Sequence, residues 1–424
     1  MSIGDQIRVR AEHPIELALT AGGMLLEGGA SAASVAHAMR DIAAAAGLND
    51  VTTDVNNSIL MISEHGTAHV GAAAISSRTY DFGRLRDTAR VVHDLRVGRI
   101  HVATAVNRVQ SIAAAPAGYP SWVRFAAAGG AGAAWAVVFG ADLVTTISAF
   151  VVNIFLAWAH QSLSRCGWPL FFAHFVSGTT AVVVEATVAS VHTHTDASLT
   201  VTSVIVLLLP GVTFIGGVKD AISGWYLTAI ARLAEALTSV AGLIAGIQFA
   251  LVAGARLGVH LDVKPPGAVN LAPTAPTLIE SGAIAIFTGI VSGNAAKTLA
   301  ASTILSSAGI TIYALALKAN SGGPWATTVA AVVIAVVATM IGKIDRTPTL
   351  AITIPAMLPL LPGITLYQGM FDGGDHIYQA VTITLALATG LTAGEYLAAN
   401  TMRSIHCLRR RKHAPNRCEL DAKQ

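Results

Sequence analysis

Charge is scarce in this chain. Only 12% of its 424 residues are Asp, Glu, Lys or Arg, against about 25% in an ordinary soluble domain, so a wholly water-exposed globule is excluded. Cysteine is scarcer still: Cys166, Cys407 and Cys418 form no CxxC or metal-spaced cluster, and an odd number gives no closed disulfide framework. A phosphate-binding P-loop, a dinucleotide fingerprint, a GxSxG elbow and paired histidines at metal spacing are all missing, which argues against a nucleotide-driven pump and the compact hydrolases. No cofactor, metal or nucleic-acid partner is expected, and the net charge of +3 adds little. Apolar residues are abundant instead, at 53% with a mean hydropathy of +0.61, and a membrane protein is the first reading.

The apolar mass is uneven. Residues 1–118 carry Arg, Asp, Glu and His throughout, whereas from Trp122 onward charges thin to isolated residues. Leu17 to Leu26 has the look of a secretory signal, with "ASAAS" behind it, yet Glu12, Glu16 and Glu27 sit where a signal avoids acids. Ile15, Leu19, Gly22 and Leu26 instead make a helical stripe, so this region is expected to remain as part of a head. Ser31 can cap a helix with stripe Val35, Met39, Ile42 and Ala46, ending at Gly47. Strand-like runs "SILMIS" and "AHVGAAAI" follow, then helical stripes through Phe82, Leu85, Val92 and Leu95, and through Val102, Val106, Val109 and Ile112. The head reads as a small α/β module large enough for its own core.

Apolar stretches of about 17 to 25 residues mark the spans. They are Trp122–Gly140, Leu143–His160, Trp168–Ser190, Ser198–Val218 and Trp225–Val259, then Gly282–Ala296, Leu299–Leu317, Pro324–Gly342, Leu350–Met370 and Ile377–Leu397. The expectation is a polytopic α-helical membrane protein of about ten spans, divided as a head (1–118), a first five-helix repeat (119–262), a linker (263–276), a second five-helix repeat (277–400) and a basic tail (401–424). With the head in the cytosol, inside loops hold Arg165, Lys219, Lys297, Lys343, Arg346 and the run Arg409 to Lys412, while the outside holds chiefly Arg256, Lys264 and Lys318. That distribution satisfies the positive-inside rule and puts both termini on the cytoplasmic side.

One stretch returns. "LLLPGVTFIGGVKD" at 207–220 and "LLPGITLYQGMFD" at 360–372 share Leu, Leu, Pro, Gly, Thr, Gly and Asp in register, so Pro210, Gly211, Thr213 and Asp220 match Pro362, Gly363, Thr365 and Asp372. Each copy lies in the fourth span of its set of five, and five is odd, so the two repeats are expected to be inverted, as in many secondary transporters. Pro-Gly frees carbonyls and amides from the helical ladder, and such groups suit a zwitterion, with a half-helix N-terminus for its carboxylate. Thr213 and Thr365 add hydroxyls, and Asp220 and Asp372 add acids at the ends of the broken spans. The alternative is a packing kink with solvated loop acids, and both readings stay open here.

Other ionisable groups are weighed the same way. Glu185 in "VVVEATVAS" is the proton-coupling candidate, being an acid inside a span, with snorkelling to a nearby interface as its alternative. Arg232 and Glu235 are expected to pair at i, i+3. Glu27, His65 and His69, with His93, are head candidates for a hydrolytic or metal site that their spacing does not require, and His192 and His194 read as loop residues.

"GGMLLEGGASAASVAHAMRDIAAAAGL" resembles the opening helix pair of the threonine/serine exporter family, and the likeness continues through "YDFGRL", "YPSWVRFAAAGGAGAAWAVVFG" and "LLLPGVTFIGGVKDAISG". The second five-span set resembles the smaller partner domain of the same family. The resemblance implies a transporter, not an enzyme: export of threonine and serine, and of related small neutral amino acids or short peptides, driven by the proton motive force from the bacterial cytoplasm across the plasma membrane. It carries over Glu27, Gly29, Tyr119, Pro120, Pro210, Gly211, Asp220 and Gly224. Its partners are then threonine, serine, protons and the lipid bilayer, with homo-oligomerisation left open. Two rival readings remain at this stage, a membrane-embedded hydrolase or transferase with its chemistry in the head, and a passive amino-acid channel.

Overall fold

The computed structural model describes residues 14–66, 69–75, 78–116, 118–191, 197–208, 210–258, 273–319, 322–363, 365, 368–369 and 374–411. Asp372, His192, His194 and most of the linker lie outside the described residues. The head comprises α1 (Pro14–Glu27), α2 (Ala32–Ala45), β1 (Val51–Val55), β2 (Ile59–Glu64), β3 (Val70–Ala74), α3 (Phe82–Arg96) and α4 (Val102–Ala114). Ser31 caps α2, its hydroxyl accepting from Ser34 N at 3.3 Å, and the helix stops where Gly47 takes a φ of +88°. The strands form an antiparallel sheet in the order β1-β2-β3. β1 was not expected, because "VTTDV" is too polar to register as an apolar run.

β2 alternates, with Leu60 and Ile62 buried and Ile59 and Met61 exposed. The buried pair joins Leu26, Met39, Ile42, Phe82 and Leu85 in one core. That core does not stop at the head. Ala351 and Ile354 belong to it, and Val212, Trp225 and Leu350 pack on it, all from beyond residue 118.

The rest of the chain is helical: α5 (Ser121–Val138), α6 (Leu143–Arg165), α7 (Leu170–Val191), α8 (Ala197–Leu208), α9 (Gly211–Ile222), α10 (Tyr226–Arg256), α11 (Ala275–Val291), α12 (Ala296–Lys318), α13 (Gly323–Asp345), α14 (Thr349–Met357), a 3-10 turn (Leu358–Leu360) and α15 (Gly374–Arg411). Among the described residues seven helices are long and apolar enough to cross a membrane, counting α8 and α9 as one, and Ala275–Val291 and Thr349–Leu360 are shorter apolar helices. The chain is a polytopic helical membrane protein. The sixth span ends earlier than expected, at Val291, because Gly293 takes a φ of +73° and the chain turns before α12; it also starts earlier, at Ala275, with a proline in its first turn.

Contacts with the head give the direction of several helices. The end of α9 and the start of α10 meet the head, where Ala32 N donates to Asp220 and Thr228 donates to Val55 O. In the second set the end of α11 meets it through Phe82 N to Ser292 O at 2.8 Å, and the end of α13 through Arg90 to Asp345 O at 2.9 Å. The start of α14 enters the head core. α9 therefore runs toward the head and α14 away from it.

A second repeat lies in the fifth helices, where "GLIAG" (242–246) and "GLTAG" (390–394) share a GxxxG spacing. Gly242 and Gly246 seat the carbonyls of Phe171 and Phe175, and Gly390 and Gly394 seat those of Thr328 and Val332. Both glycine pairs advance with their partners, so α7 and α10 run parallel, as do α13 and α15. Small residues permit this close approach where no water-driven force holds helices together. A Cβ on Gly394 would stand 2.6 Å from the Val332 carbonyl. Gly246→Ala and Gly394→Ala should each lower the thermal midpoint in detergent, for a cost of about 1–3 kcal/mol, while Gly323→Ala, whose Cβ meets nothing within 4 Å, should not; equal midpoints for all three would refute the packing.

Candidate functional site at the paired breaks and the head

Pro210 ends α8 because it cannot donate to the preceding turn, and it stands at the N-cap of α9 with φ −78° and ψ 49°. The break faces its counterpart. A Cβ on Gly211 would meet Leu361 Cδ1 at 2.8 Å, and a Cβ on Gly363 would meet Val206 Cγ1 at 3.0 Å. Each glycine thus receives a side chain from the other set of helices. Beside them is a cavity of about 240 Å³ lined by Pro210, Gly211, Phe214, Pro362, Gly363 and Thr384, among others. Its walls are mostly apolar, and the Thr384 hydroxyl is occupied by Ala380 O at 2.7 Å. Thr365 is half-buried beyond the second break.

The opposite face of α9 lines a second cavity of about 270 Å³, between the head and both helix sets, with Ser31, Ser34, Tyr80, Lys219, Arg232 and Glu395 in its wall. This one has charged side chains in part of its wall. Lys219 Nζ is 2.5 Å from Glu395 Oε2, joining α9 to α15. Asp220 is fully buried, 3.0 Å from Arg232 Nη1, and accepts from Ala32 N at 3.0 Å. The Asp220 oxygen nearest Arg232 lies off the hydrogen-bond line, so the contact is a charge pair; the directed bonds are those to Ala32 and from Arg232 Nη2 to Ala30 O at 2.8 Å. Asp220 thereby puts a negative charge at the N-terminus of α2.

Two expectations are corrected here. Asp220 is not a solvated loop charge, because α9 continues through it and the head covers it. Arg232 pairs with Asp220 rather than with Glu235, which is instead 2.7 Å from Arg78 Nη1; Arg78 also donates to Asn57. Tertiary placement overrides the i, i+3 spacing.

Tyr80 is the residue that sequence reasoning most clearly missed, although it opens the "YDFGRL" stretch. It adopts a φ of +48°, costly for a tyrosine, held by its N–H to Glu27 O at 3.1 Å and by its hydroxyl to Thr213 Oγ1 at 2.8 Å. Burial raises the Tyr80 phenol above its ordinary range, so it stays a neutral hydroxyl. Gly29, at φ +93°, leaves the room its ring needs.

The remaining candidates separate. Glu185 is fully buried in α7 rather than snorkelled to an interface. His65 and His69 are exposed beside Asp50 at 3.6 Å and Glu64 at 3.3 Å. Glu27 lies with Tyr80 and Arg84, apart from both, and no three His, Cys, Asp or Glu side chains gather to hold a metal among the described residues. His93 is held below its ordinary value, chiefly by burial, then by Arg96, Arg346 and Arg99. Tyr119 donates to Asn294 O at 2.9 Å.

Two outcomes test this geometry. Asp220→Asn should destabilise the fold by about 3–5 kcal/mol, since it leaves Arg232 buried without its counter-charge, whereas Asp345→Asn should not; equal thermal midpoints would refute the pair. Burial raises Glu27 above its ordinary value, with Arg84 opposing. A raised acid contributes stability below its unfolded value that is lost as pH rises through its folded value. The midpoint of Glu27→Gln should therefore gain on the parent as pH rises above the ordinary glutamate value of about 4.3; a growing deficit would show that the Arg84 contact dominates.

The threonine/serine exporter family model, ThrE, matches residues 16–253, and a second, "Threonine/Serine exporter, ThrE", matches residues 278–397. A curated relative named "Probable threonine/serine exporter" from Mycobacterium tuberculosis (strain ATCC 25618 / H37Rv) is 28% identical over 404 residues, covering 91% of this chain and 76% of its own length. The "Threonine/serine exporter" of Corynebacterium glutamicum is 25% identical over 409 residues, covering 92% of this chain and 83% of its own. No solved structure matches. With both helix sets and the head accounted for, this multi-pass bacterial membrane protein is a transporter, not an enzyme, and belongs to the threonine/serine exporter family.

Proposed function

We propose that the protein is a secondary active exporter of threonine and serine, and of related small neutral amino acids or short peptides, driven by the proton motive force through alternating access between two inverted five-helix repeats. The observation that carries this reading is the seating of the Pro-Gly breaks, Gly211 against Leu361 and Gly363 against Val206. The opposite senses of α9 and α14 relative to the head support the inversion, and in an inverted pair one break can open toward each side. Pro210, Gly211, Pro362 and Gly363 act as hinges, with Thr213 and Thr365 one turn along and Asp220 and Asp372 at the ends.

The cavity beneath the head receives the substrate. A zwitterion supplies one carboxylate and one ammonium, and Lys219 with Glu395 supplies their complements. Substrate entering between them exchanges that ion pair for two of its own, breaking the only direct charge link described between α9 and α15. Ser31, Ser34 and Tyr80 face the same space and suit a side-chain hydroxyl. Basic residues at helix ends on the head's side, Arg165, Lys219, Lys297, Lys343 and Arg346, support a cytoplasmic head and cytoplasmic termini in the plasma membrane.

Labelled threonine followed in proteoliposomes, with and without an imposed pH gradient, tests the reading. The parent should accumulate threonine only under the gradient. Pro210→Ala with Pro362→Ala should lose that accumulation while inserting normally, and Lys219→Met with Glu395→Met should raise KM about tenfold or more, the worth of a charge-assisted hydrogen bond. Movement indifferent to the gradient would point to a passive channel, and a parent that moves neither threonine nor serine would overturn the substrate.

A further inference from the structure

The head draws its fixed positive charge from one residue type. Residues 1–118 contain ten Arg and no Lys, and six of those Arg fall between residues 82 and 108, which hold two Asp and no Glu. Asp94 on α3, 19% exposed, is shared by three guanidiniums: Arg99 at 3.1 Å, Arg346 at 3.2 Å and Arg108 at 3.8 Å. The nearby acids are taken, Asp87 by Arg86 at 2.9 Å and Asp41 by Arg96 at 3.6 Å. One carboxylate among three guanidiniums leaves a surplus of positive charge, and all three arginines are about half exposed. His93 registers that surplus, held below its ordinary value by burial first and then by Arg96, Arg346 and Arg99.

The patch lies at a membrane surface. Arg346 directly follows α13, a helix long and apolar enough to span, and Ile344, just before it, is 81% exposed. Arg90 brings the head to the same level, donating to Asp345 O at 2.9 Å and to Arg346 O at 3.3 Å. Lipid headgroups begin where the apolar length of a span ends. We propose that Arg99, Arg108 and Arg346 bind the phosphodiester of an anionic phospholipid in the leaflet on the head's side, and that this headgroup bridges the head to α13. The site is independent of which cargo the protein moves and of what drives it.

The residue type fits that ligand. A guanidinium presents its N–H groups in a planar fork that matches two phosphate oxygens, whereas an ammonium is a point charge. Asp94 accepts hydrogen bonds from Arg99 and Arg346 on one oxygen, and Arg108 stands too far for one, so most of the fifteen or so N–H donors of the three forks stay available. Arg99 and Arg108 belong to the head and Arg346 to the end of a span, and the shared carboxylate holds them together before any lipid arrives. A phosphodiester on the outer side of the three adds the negative charge they lack and stabilises the docked head. Free phosphate carries the same oxygens, but a lipid delivers them at the depth of Arg346, with Ile344 facing its apolar part.

The full chain in detergent, titrated with phosphatidylglycerol, phosphatidylcholine or inorganic phosphate while its thermal midpoint is read, tests the site. Phosphatidylglycerol should raise the midpoint and phosphatidylcholine should not. Arg99→Gln with Arg108→Gln should raise the phosphatidylglycerol concentration for half the effect about tenfold or more, while Arg165→Gln, exposed at the end of α6, should leave it within about twofold. An equal rise with phosphatidylcholine, or equal losses in the two variants, would overturn the site. A full effect from inorganic phosphate at the same concentration would overturn the lipid as its occupant. Should the double variant fail to fold, Arg346→Lys decides: it keeps the charge and removes the fork, so the half-effect concentration should rise about threefold or more, and an unchanged value overturns the proposal.

Discussion

The two Pro-Gly breaks are seated in each other, and most of the molecule's organisation follows from that contact. A helix broken in lipid exposes carbonyls and amides that lipid cannot satisfy. Burying both breaks together, with glycines at the points of closest approach, removes each from lipid with the side chains of the other. The same requirement explains the fifth helices. α10 and α15 must lie close to α7 and α13 to enclose the broken spans, and the GxxxG pairs at 242–246 and 390–394 supply that closeness.

The head is bound to this centre by a buried charge pair as well as by the apolar core the two share. Asp220 and Arg232 are both almost wholly buried, and each makes a hydrogen bond to the head backbone, at Ala32 and Ala30. A buried pair of this kind seldom adds net stability over apolar residues of equal size, but breaking it is expensive. It therefore specifies one way of docking. Tyr80, in a backbone conformation tyrosine resists, extends the same docking to Thr213, one turn beyond the first break. The head touches the first helix set at α9 and α10 and the second at α11, α13 and α14, so a relative movement of the two sets is felt by it.

Much of this was legible in the sequence because it is local. Apolar length marks spans, Ser31 and Gly47 bound a helix, and Pro-Gly in register at 210 and 362 marks two breaks. The polar partners around the cavity beneath the head were not legible, because they are far apart: Lys219 and Glu395 are 176 residues apart and Tyr80 and Thr213 are 133 apart. Arg232 shows why. On its own helix Glu235 is the nearest acid at a favourable spacing, and only the docked head and the neighbouring α9 show that Asp220 claims it. β1 was missed for a related reason, since its polar, β-branched sequence pairs with β2 without an apolar run. "GLIAG" and "GLTAG" were visible as a repeat but are too short to weigh before their common seating is known.

The most direct measurement of the account is a reversible lock on the breaks. With Cys166, Cys407 and Cys418 replaced by serine, Val206→Cys and Gly363→Cys bring two thiols within bonding reach, since a Cβ on Gly363 falls 3.5 Å from Val206 Cβ. Oxidation should join them, stop threonine transport, and be fully reversed by reductant. Transport at the parent rate by the quantitatively cross-linked protein would contradict the claim that the paired breaks must part for each cycle.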